Sequence, residues 1–341
     1  MKISMSDIAE RAGVSLAAVS LVLNNKPSRI SLETRRRIIR IARECNYVPN
    51  HVAVSLATNR TKTIGLIVPS MGDIYFNNLA MSIERYAYDH GFMMNLCNID
   101  DSSEKCFEYL NNLLARCVDG IIIIPPSDIN ENENNGKLGK FFDSASIPIL
   151  LLDSAVYYVF CDYVAFDNKA GGEMAASYLI RHGHRNIGYI SGPLGTYSAK
   201  SRLEGYLSAL ESAGIPKDDH LIYFGDYRLQ SGYEGMRELC NNPDMTAIVS
   251  ANDLMAYGVY QYAAEHHIVF PRDLSIISIG NTYVNDILPV PLTSVNVPQR
   301  EMGEKACEML LYRIANTNSS REYEDIFFPP SLVERSSVAS V

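Results

Sequence analysis

A chain of 341 residues is long enough for two or three domains, and 47% hydrophobic with 20% charged residues is typical of a soluble globular protein. The N-terminus lacks the apolar core of a signal peptide, and apolar runs such as residues 121–124 are far short of the roughly 20 residues that span a membrane, so we expect a cytoplasmic protein. Seven scattered cysteines without a C-x-x-C pair predict neither a disulfide framework nor a zinc site.

The net charge of −9 is distributed unevenly along the chain. Residues 1–60 hold ten basic and four acidic side chains, a net charge of +6, so the rest of the chain carries −15. A basic N-terminal module on an acidic body indicates that the module contacts a polyanion while the body does not. Charge alone leaves one alternative open, namely a solvated basic helix around residues 35–37.

Three short helices are predicted in the first 46 residues. Ser4 begins a capping box, Gly13 can supply a turn, and Ser15 can cap a second helix that runs to about Asn24. Ser31 caps a third, arginine-rich helix. A short glycine turn between the first two helices is typical of a helix-turn-helix unit, and the positive charge agrees, so we expect this module to bind DNA.

The second helix has two different faces. At 100° per residue one arc is apolar and can pack against the other helices; it contains Ala18, Val19, Val22 and Leu23. The opposite arc is free to face a partner; it contains Leu16, Ala17, Ser20, Leu21 and Asn24. On this outward arc, Leu16, Ala17 and Leu21 cannot hydrogen-bond a base, which leaves open how the helix reads sequence.

From Thr63 onward, short apolar strands alternate with amphipathic helices. Nine strands are predicted, and they divide into two parallel sheets with a break near Asp167. Two lobes of this kind leave a cleft at the carboxyl ends of their strands, where ligands bind in open α/β sheets. The segments after the strands are rich in Ser, Asp, Asn and Gly, although each one alone could be an ordinary turn.

Seven segments together resemble the lactose-repressor (LacI/GalR) family of bacterial transcription regulators over nearly the whole chain. In order, they are MSDIAERAGVSLAAVSLVLNN, ISLETRRRIIRIARECNYVPN, VAVSLATNRTKTIGLIVP, FDNKAGGEMAASYLIRHGHRNIGYISG, SRLEGYLSAL, ANDLMAYG and LTSVNVPQREMG. The resemblance implies an all-α helix-turn-helix domain followed by a two-lobed α/β core, like a periplasmic sugar-binding protein, with two doubly wound parallel sheets. It also implies a homodimer on a near-palindromic operator in double-stranded DNA.

We divide the chain on this basis. Residues 1–48 are expected to form the DNA-binding domain, 49–61 a hinge helix and linker, and 62–341 the effector-binding and dimerisation core. The N-lobe would comprise about 62–165 and 293–324, and the C-lobe about 166–290 and 325–341. The chain ends without a leucine heptad tail, so we expect a dimer rather than a tetramer.

The resemblance assigns roles in DNA binding. Leu16, Ala17 and Leu21 take base-facing positions, while Ser15, Ser20 and Asn24 face phosphates or base edges. The hinge helix would begin after Asn50, with Ala53 lining the minor groove and Leu56 wedged between base pairs, as apolar side chains do in proteins that bend DNA. A linker leucine packing on its own lobe is the alternative for Leu56.

Three residues depart from the family's DNA-binding pattern. The family usually has threonine at 18, arginine at 21 and often arginine or glutamine at 54, where this chain has Ala18, Leu21 and Val54. Small and apolar side chains can contact thymine methyl groups in the major groove. We therefore expect a half-site marked by A·T pairs, with much of the discrimination coming from hinge insertion and DNA deformability.

The resemblance also places an effector site between the lobes. Its expected residues are Ser70, Asp73, Tyr75, Phe76, Asp153, Arg202, Tyr227, Asn252 and Asn281. Arginine offers a planar donor fork, carboxylates and amides bind hydroxyls, and aromatic rings stack on a sugar or base. Two departures stand out, because the aspartate common on the last strand of the second lobe is Gly280 here and the usual arginine after Asp153 is Ser154. A sugar-like ligand is expected, without a familiar hexose being implied.

Several alternatives remain at this stage. A transport-type sugar-binding protein would need export and would lack the basic module. A nucleotide-dependent enzyme would need a glycine-rich phosphate loop, and residues 191–202 match neither common form. The same regulator could answer to a phosphorylated carrier protein instead of a metabolite. We expect no catalytic residue, cofactor or metal, since four histidines fit surface positions better than ligand positions: His182, His184, His266 and His267.

Overall fold

The computed structural model describes residues 3–23, 27–47, 60–131, 133–156, 159–316 and 322–341. Contacts within the chain divide it into two units, Met1–Thr61 and Lys62–Val341. Within the described ranges, no helix combines the length and the apolar character needed to cross a bilayer.

Three helices lie in the described part of the N-terminal unit: α1, Met5–Ala12; α2, Leu16–Leu23; and α3, Leu32–Glu44. The predicted capping box is present, because the Asp7 amide donates to Ser4 Oγ at 3.3 Å and the Ser4 amide donates to Asp7 Oδ2 at 2.8 Å. Gly13 turns the chain after α1 with φ of 62°. The three helices share a small core; it contains Ile8, Ala9, Ala12, Val19, Val22, Ile38 and Ala42.

The second unit contains eight further helices in its described part. They are α4, Ile74–Asp89; α5, Ser103–Ala115; α6, Asn134–Ser144; α7, Asn168–Arg181; α8, Tyr197–Ser212; α9, Leu229–Leu239; α10, Asp253–Glu265; and α11, Gln299–Ala315. Two short 3₁₀ helices span Asp219–Leu221 and Tyr283–Asp286.

Twelve strands alternate with these helices. They are β1, Thr63–Val68; β2, Met93–Asn98; β3, Gly120–Ile123; β4, Ile149–Leu152; β5, Asp162–Phe166; β6, Ile187–Ser191; β7, Ile222–Phe224; β8, Ala247–Ser250; β9, Ser275–Gly280; β10, Thr293–Asn296; β11, Asp325–Phe328; and β12, Ser331–Val333.

The strands form two six-stranded sheets. The first, in the N-lobe, is parallel with the order β11-β5-β4-β3-β1-β2. The second, in the C-lobe, has the order β12-β10-β9-β8-β6-β7, and only β12 runs antiparallel. The central strands β3, β4, β8 and β9 are buried along their whole length, as sheets covered by helices on both faces require. The predicted two-lobed fold class is confirmed.

The predicted division of the C-terminal segments between the lobes needs correction. Strand β10 pairs with β9 in the C-lobe, although residues 293–324 were assigned to the N-lobe. Strand β11 pairs with β5 in the N-lobe, although residues 325–341 were assigned to the C-lobe. The sequence of β10, TSVN, has no apolar run to mark it as a buried strand. Its buried polar groups are satisfied by hydrogen bonds instead, such as the 2.8 Å bond from the Thr293 amide to Ser337 Oγ.

One histidine is not at the surface as expected. His184 is buried, with Nδ1 2.9 Å from Thr246 Oγ1 and Nε2 3.0 Å from the Ala339 carbonyl oxygen. Burial lowers the pKa of this ring below its usual value, and the hydrogen bond to Ala339 opposes that shift. His184 therefore helps to hold the C-terminal segment on the C-lobe.

Candidate functional site

Helix α2 exposes the start of the arc that was expected to face a partner. Val19 and Val22 are buried, whereas the Leu16 side chain is 51% exposed and Ala17 is exposed. Ser20 and Leu21 are partly exposed. Ser15 caps the helix, because its Oγ accepts a hydrogen bond from the Ala18 amide at 3.2 Å. An exposed leucine at the start of a helix that packs through its other face is available to a partner.

Four of the residues expected to contact DNA lie outside the described part of the chain: Asn24, Asn50, Ala53 and Leu56. The basic charge of the N-terminal unit is concentrated on α3. Its exposed side chains include Arg36, Arg37, Arg40 and Arg43, and Arg40 lies 4.0 Å from Glu44. Exposed guanidinium groups are suited to phosphate contacts, which position a protein on DNA without reading its sequence.

A cavity of about 520 Å³ lies between the two lobes of the second unit. Its walls come from segments after β1, β2, β3 and β4 in the N-lobe and after β6, β7, β8 and β9 in the C-lobe. Eight of the nine residues expected at the effector site line it: Ser70, Asp73, Tyr75, Phe76, Asp153, Arg202, Tyr227 and Asn252. The size is within the usual range for small-molecule sites.

Asp153 and Tyr75 form a buried hydrogen-bonded pair on the N-lobe wall. Asp153 follows β4 with φ of 70° and is 8% exposed, and Tyr75 Oη donates to its Oδ1. The Tyr163 hydroxyl donates to the Asp153 carbonyl oxygen at 3.3 Å. Burial raises the pKa of Asp153, while the hydrogen bond from Tyr75 and the charge of Arg202 lower it. A fixed carboxyl group therefore faces the ligand space.

Arg202 is the buried cation of the C-lobe wall. The side chain is 5% exposed; Nε donates to Asn168 Oδ1 at 2.7 Å and Nη1 donates to the Ala251 carbonyl oxygen at 2.5 Å. Its Cζ lies 5.8 Å from the Tyr227 ring centroid, a distance at which a guanidinium interacts with an aromatic face. These contacts fix the guanidinium, and Nη2 is left without a hydrogen-bond partner among the described residues.

Asp73 and its neighbours form the start of α4. Asp73 Oδ1 accepts from the Tyr75 amide at 2.9 Å and so caps the helix, while Ser70 Oγ accepts from the Gly72 amide at 3.1 Å. Burial is the main cause that raises the pKa of Asp73 to about 6, and the charges of Asp253 and Asp153 add to it. The hydrogen bond from Tyr75 and the charge of Arg202 oppose the shift. The Tyr75 and Phe76 rings meet edge to face, 5.3 Å between centroids.

Two expected contacts turn out differently. Asn252 lines the cavity, but its Oδ1 caps α10 by accepting from the Met255 amide and its Nδ2 donates to the Tyr227 carbonyl oxygen, both at 2.9 Å. Asn281 does not line the cavity. The Asn281 backbone has φ of 63°, and its side chain is bonded instead to Asn296 at 3.0 Å and to Arg335 at 2.8 Å.

Sequence reasoning missed Asp253, which lines the cavity from the first turn of α10. It is 4% exposed; Oδ1 accepts from Ser278 Oγ at 2.5 Å and Oδ2 from the Thr282 amide at 2.7 Å. The signal was present, because Asp253 directly follows Asn252. Further cavity residues that were missed are Asp100, Asp101, Ser127, Thr196, Ser198, Asp226, Arg228 and Thr282.

Two protein-family models match the chain, one in each of its two units. The family model for bacterial regulatory proteins of the lacI family matches residues 4–50, and the model for a periplasmic binding protein-like domain matches residues 176–338. The HTH-type transcriptional regulator DegA of Bacillus subtilis is 35% identical over 342 residues, which cover 99% of each chain.

Two solved structures are also similar. The Lac repressor dimer bound to operator and the anti-inducer ONPF has a TM-score of 0.88 at 26% identity, with 100% of both chains covered. The complex of the transcriptional regulator CelR with cellobiose has a TM-score of 0.74 at 27% identity, covering 98% of this chain and 99% of that one.

Proposed function

Because the chain belongs to the LacI family of bacterial regulatory proteins and is a DNA-binding transcriptional regulator, we propose that it represses transcription under control of a small molecule held between its lobes. It acts in the cytoplasm, where the DNA is, and it is not an enzyme. The observation that carries the proposal is the cavity, which is lined by fixed polar groups from both lobes, Tyr75 and Asp153 on one side and Arg202 on the other.

The operator is read by α2 and the hinge. Leu16, Ala17 and Leu21 face bases, with Ser15 and Ser20 beside them. The exposure of Leu16 and Ala17 and the burial of Val19 support this orientation. Asn24, Asn50, Ala53 and Leu56 complete the DNA contacts from residues outside the described ranges. Residues 1–48 form the DNA-binding domain, 49–61 the hinge and linker, and 62–341 the core.

The functional form is a homodimer on a near-palindromic operator, the state in which the similar Lac repressor was solved. An apolar surface on the N-lobe supports this arrangement. Strand β2 is at the edge of its sheet and exposes Met93, at 74%, and Leu96, while α4, which packs against β2, exposes Met81 and Tyr88. Exposed apolar side chains on an edge strand mark a surface that another chain covers.

Effector and operator are linked through the lobes. A ligand that binds both walls favours one relative position of the lobes over another. Because the hinge segments of two protomers have to meet at the operator centre, a change in lobe position changes DNA affinity, and the same coupling free energy acts in both directions. The effector contacts are Ser70, Asp73, Tyr75, Phe76, Asp153, Arg202 and Tyr227, while Asn252 contributes through its position behind Tyr227.

Selection of bound fragments from a random genomic library tests the DNA-binding function. The purified protein is expected to enrich a near-palindromic site with A·T-marked half-sites. Leu16→Ala should weaken that enrichment, while Leu32→Ala, which truncates an exposed leucine on α3, should leave it nearly unchanged. Enrichment without any shared sequence would contradict a sequence-specific regulator.

Thermal unfolding with candidate sugars and nucleosides tests the small-molecule control. A ligand that binds the folded core raises its melting temperature by mass action. The same ligand is expected to change operator affinity, and Arg202→Ala should abolish both effects. Failure of every candidate to change either quantity would favour control by a protein partner.

A further inference from the structure

Two carboxylates from opposite lobes line the same cavity. Asp73 lies before the first turn of α4 in the N-lobe, and Asp253 lies in the first turn of α10 in the C-lobe. Gln299 links the two sides, because its Oε1 accepts from Asn78 Nδ2 of α4 at 2.7 Å and its Nε2 donates to the Gly280 carbonyl oxygen at 2.9 Å. The negative charge of Asp253 also contributes to the raised pKa of Asp73. Both residues line the cavity. Moving the lobes together therefore brings two like charges together.

Gly280 leaves the Asp253 carboxylate open to the ligand space. A Cβ at position 280 would lie 2.7 Å from Asp253 Oδ2, so any side chain there would have to displace or cover this oxygen. Gly280 and Asp253 both line the cavity. The Ser278 hydroxyl, the Ser294 hydroxyl and the Thr282 amide donate to this carboxylate at 2.5, 3.3 and 2.7 Å. A carboxylate offers about four acceptor positions, so about one remains for a ligand.

Nothing in the described part of the cavity neutralises these charges by direct pairing. Asp73, Asp153 and Asp253 form no ion pair among the described residues, and Arg202 is held by Asn168 and Ala251. Three further carboxylates line the cavity, namely Asp100, Asp101 and Asp226, and Arg228 is the second cation of the lining. Of these three, Asp100 is paired with Lys105 Nζ at 2.5 Å.

The aromatic side chains of the wall point to the same ligand charge. Tyr75, Phe76 and Tyr227 line the cavity together with the carboxylates. Aromatic faces attract cations, and carboxylates form their strongest hydrogen bonds with charged donors. A phosphate or carboxylate on a ligand would instead meet mainly negative charge. The wall therefore favours a ligand that carries a positive group.

We propose that the effector is an amino sugar, a hydroxylated ring whose protonated amine is bound between Asp73 and Asp253. The ring hydroxyls contact Asp153 and the free Nη2 of Arg202. This identification of the ligand class rests on the proposed function of the cavity. The amine also removes the repulsion between Asp73 and Asp253, so its binding favours the arrangement in which the two lobes approach each other.

Calorimetric titration of the full chain tests the proposal with sets of ligands that differ only in one substituent. The probes are glucosamine, glucose, N-acetylglucosamine and glucose 6-phosphate, and the corresponding galactose compounds. At least one of the two amino sugars, glucosamine or galactosamine, is expected to bind about ten-fold or more tightly than its neutral parent sugar, a difference of ~1.4 kcal/mol. The 6-phosphate of that sugar is expected to bind more weakly than the parent sugar.

Two variants and a pH series test whether the ligand amine binds between Asp73 and Asp253. Asp73→Asn keeps an acceptor for the helix cap and should abolish the preference for the amine. Gly280→Ala, which crowds Asp253, should reduce the preference even if Asp253→Asn fails to fold. From about pH 5 to about pH 7 the affinity for the amine should rise, because Asp73 loses its proton in this range, while the affinity for the neutral parent should not.

These experiments test the amino-sugar proposal separately from the proposed effector cavity. If a neutral or phosphorylated sugar binds as tightly as the amino sugar or more tightly, and Arg202→Ala abolishes this binding, the amino-sugar proposal is wrong. The proposed effector cavity would still be supported by that result. Amine binding that survives both Asp73→Asn and Arg202→Ala would place the ligand elsewhere and overturn both proposals. Absence of binding by every amino sugar would likewise overturn the amino-sugar class.

Discussion

Asp73 has two roles whose energetic effects are opposed at neutral pH. Its carboxylate caps α4 through the Tyr75 amide, which favours the ionised form. Burial and the neighbouring carboxylates disfavour that form and raise the pKa of Asp73 to about 6. At neutral pH the protein therefore keeps a charge where the folded state holds it poorly. Such a cost is typical of residues kept for binding, since a ligand can repay it.

The pH dependence of stability follows from this shift. The pKa of Asp73 is higher in the folded than in the unfolded chain, so its unfavourable contribution is absent below about pH 4, develops as pH rises from about 4 to about 6 and is complete above that. Asp73→Asn is expected to raise the free energy of unfolding of the core by about 1–2 kcal/mol more at pH ~7.5 than at pH ~4.5. Urea denaturation at both pH values measures this difference, and a pH-independent difference would contradict the assignment.

Tyr75 matters through its hydroxyl group as well as its ring. Its hydroxyl is the side-chain donor to the buried Asp153 carboxyl. Tyr75→Phe leaves that oxygen without its partner and is expected to destabilise the core by about 1–3 kcal/mol in urea denaturation. Tyr283→Phe is the matched control, because Tyr283 is 65% exposed and should change stability by less than ~0.5 kcal/mol. Equal effects of the two substitutions would count against the buried pair.

At the scale of elements, different residues of α2 pack against the N-terminal unit and face the proposed DNA partner. Val19 and Val22 hold it in the core of the N-terminal unit, while Leu16 contributes little to that core. The residues that hold α2 in its unit are therefore different from the leucine that it exposes. Stability and DNA affinity should therefore respond to different substitutions.

Leu16→Ala is expected to weaken operator binding about ten-fold while changing the thermal stability of the N-terminal unit by less than ~0.5 kcal/mol. Val19→Ala is expected to destabilise the same unit by about 1–3 kcal/mol, because the side chain is fully buried. Fluorescence anisotropy with operator DNA and thermal denaturation by circular dichroism measure the two effects. A stability loss for Leu16→Ala as large as that for Val19→Ala would show that Leu16 packs inward.

The starts of the helices in the N-terminal unit were predictable, because Ser4, Ser15 and Ser31 mark them as caps. Asp73 caps α4 in the same way, but the sequence analysis assigned it only to the effector site and its capping role was missed. Strand β10 escaped prediction because its burial is made possible by hydroxyl hydrogen bonds and not by apolar residues.

The cavity residues were predictable to the extent that they follow strands. The contact of Gly280 with Asp253 was not, since it depends on the fold bringing the end of β9 beside the start of α10. Asn281 illustrates the same limit, because a single positive φ takes its side chain to Arg335.

At the scale of the whole molecule, the lobes touch at the side of the cavity formed by residues 125–131 and 192–196. A Cβ on Gly195 of the C-lobe would lie 2.6 Å from the Ser127 carbonyl oxygen and 2.8 Å from Glu131 Oε1, both of the N-lobe. The absence of a side chain at 195 therefore permits this approach of the lobes. Effector control requires that the free energies of the closer and more separated arrangements differ by little, so one methyl group should change their balance.

Gly195→Ala is expected to lower effector affinity about ten-fold and to change operator affinity in the direction opposite to the effector, because it disfavours the arrangement that the effector favours. Gly136→Ala is the matched control, since a Cβ there meets nothing within 4 Å. Calorimetry with the effector and anisotropy with operator DNA measure the two affinities for both variants. If Gly195→Ala behaves like Gly136→Ala in both measurements, contact between the two loops has no part in coupling the cavity to DNA.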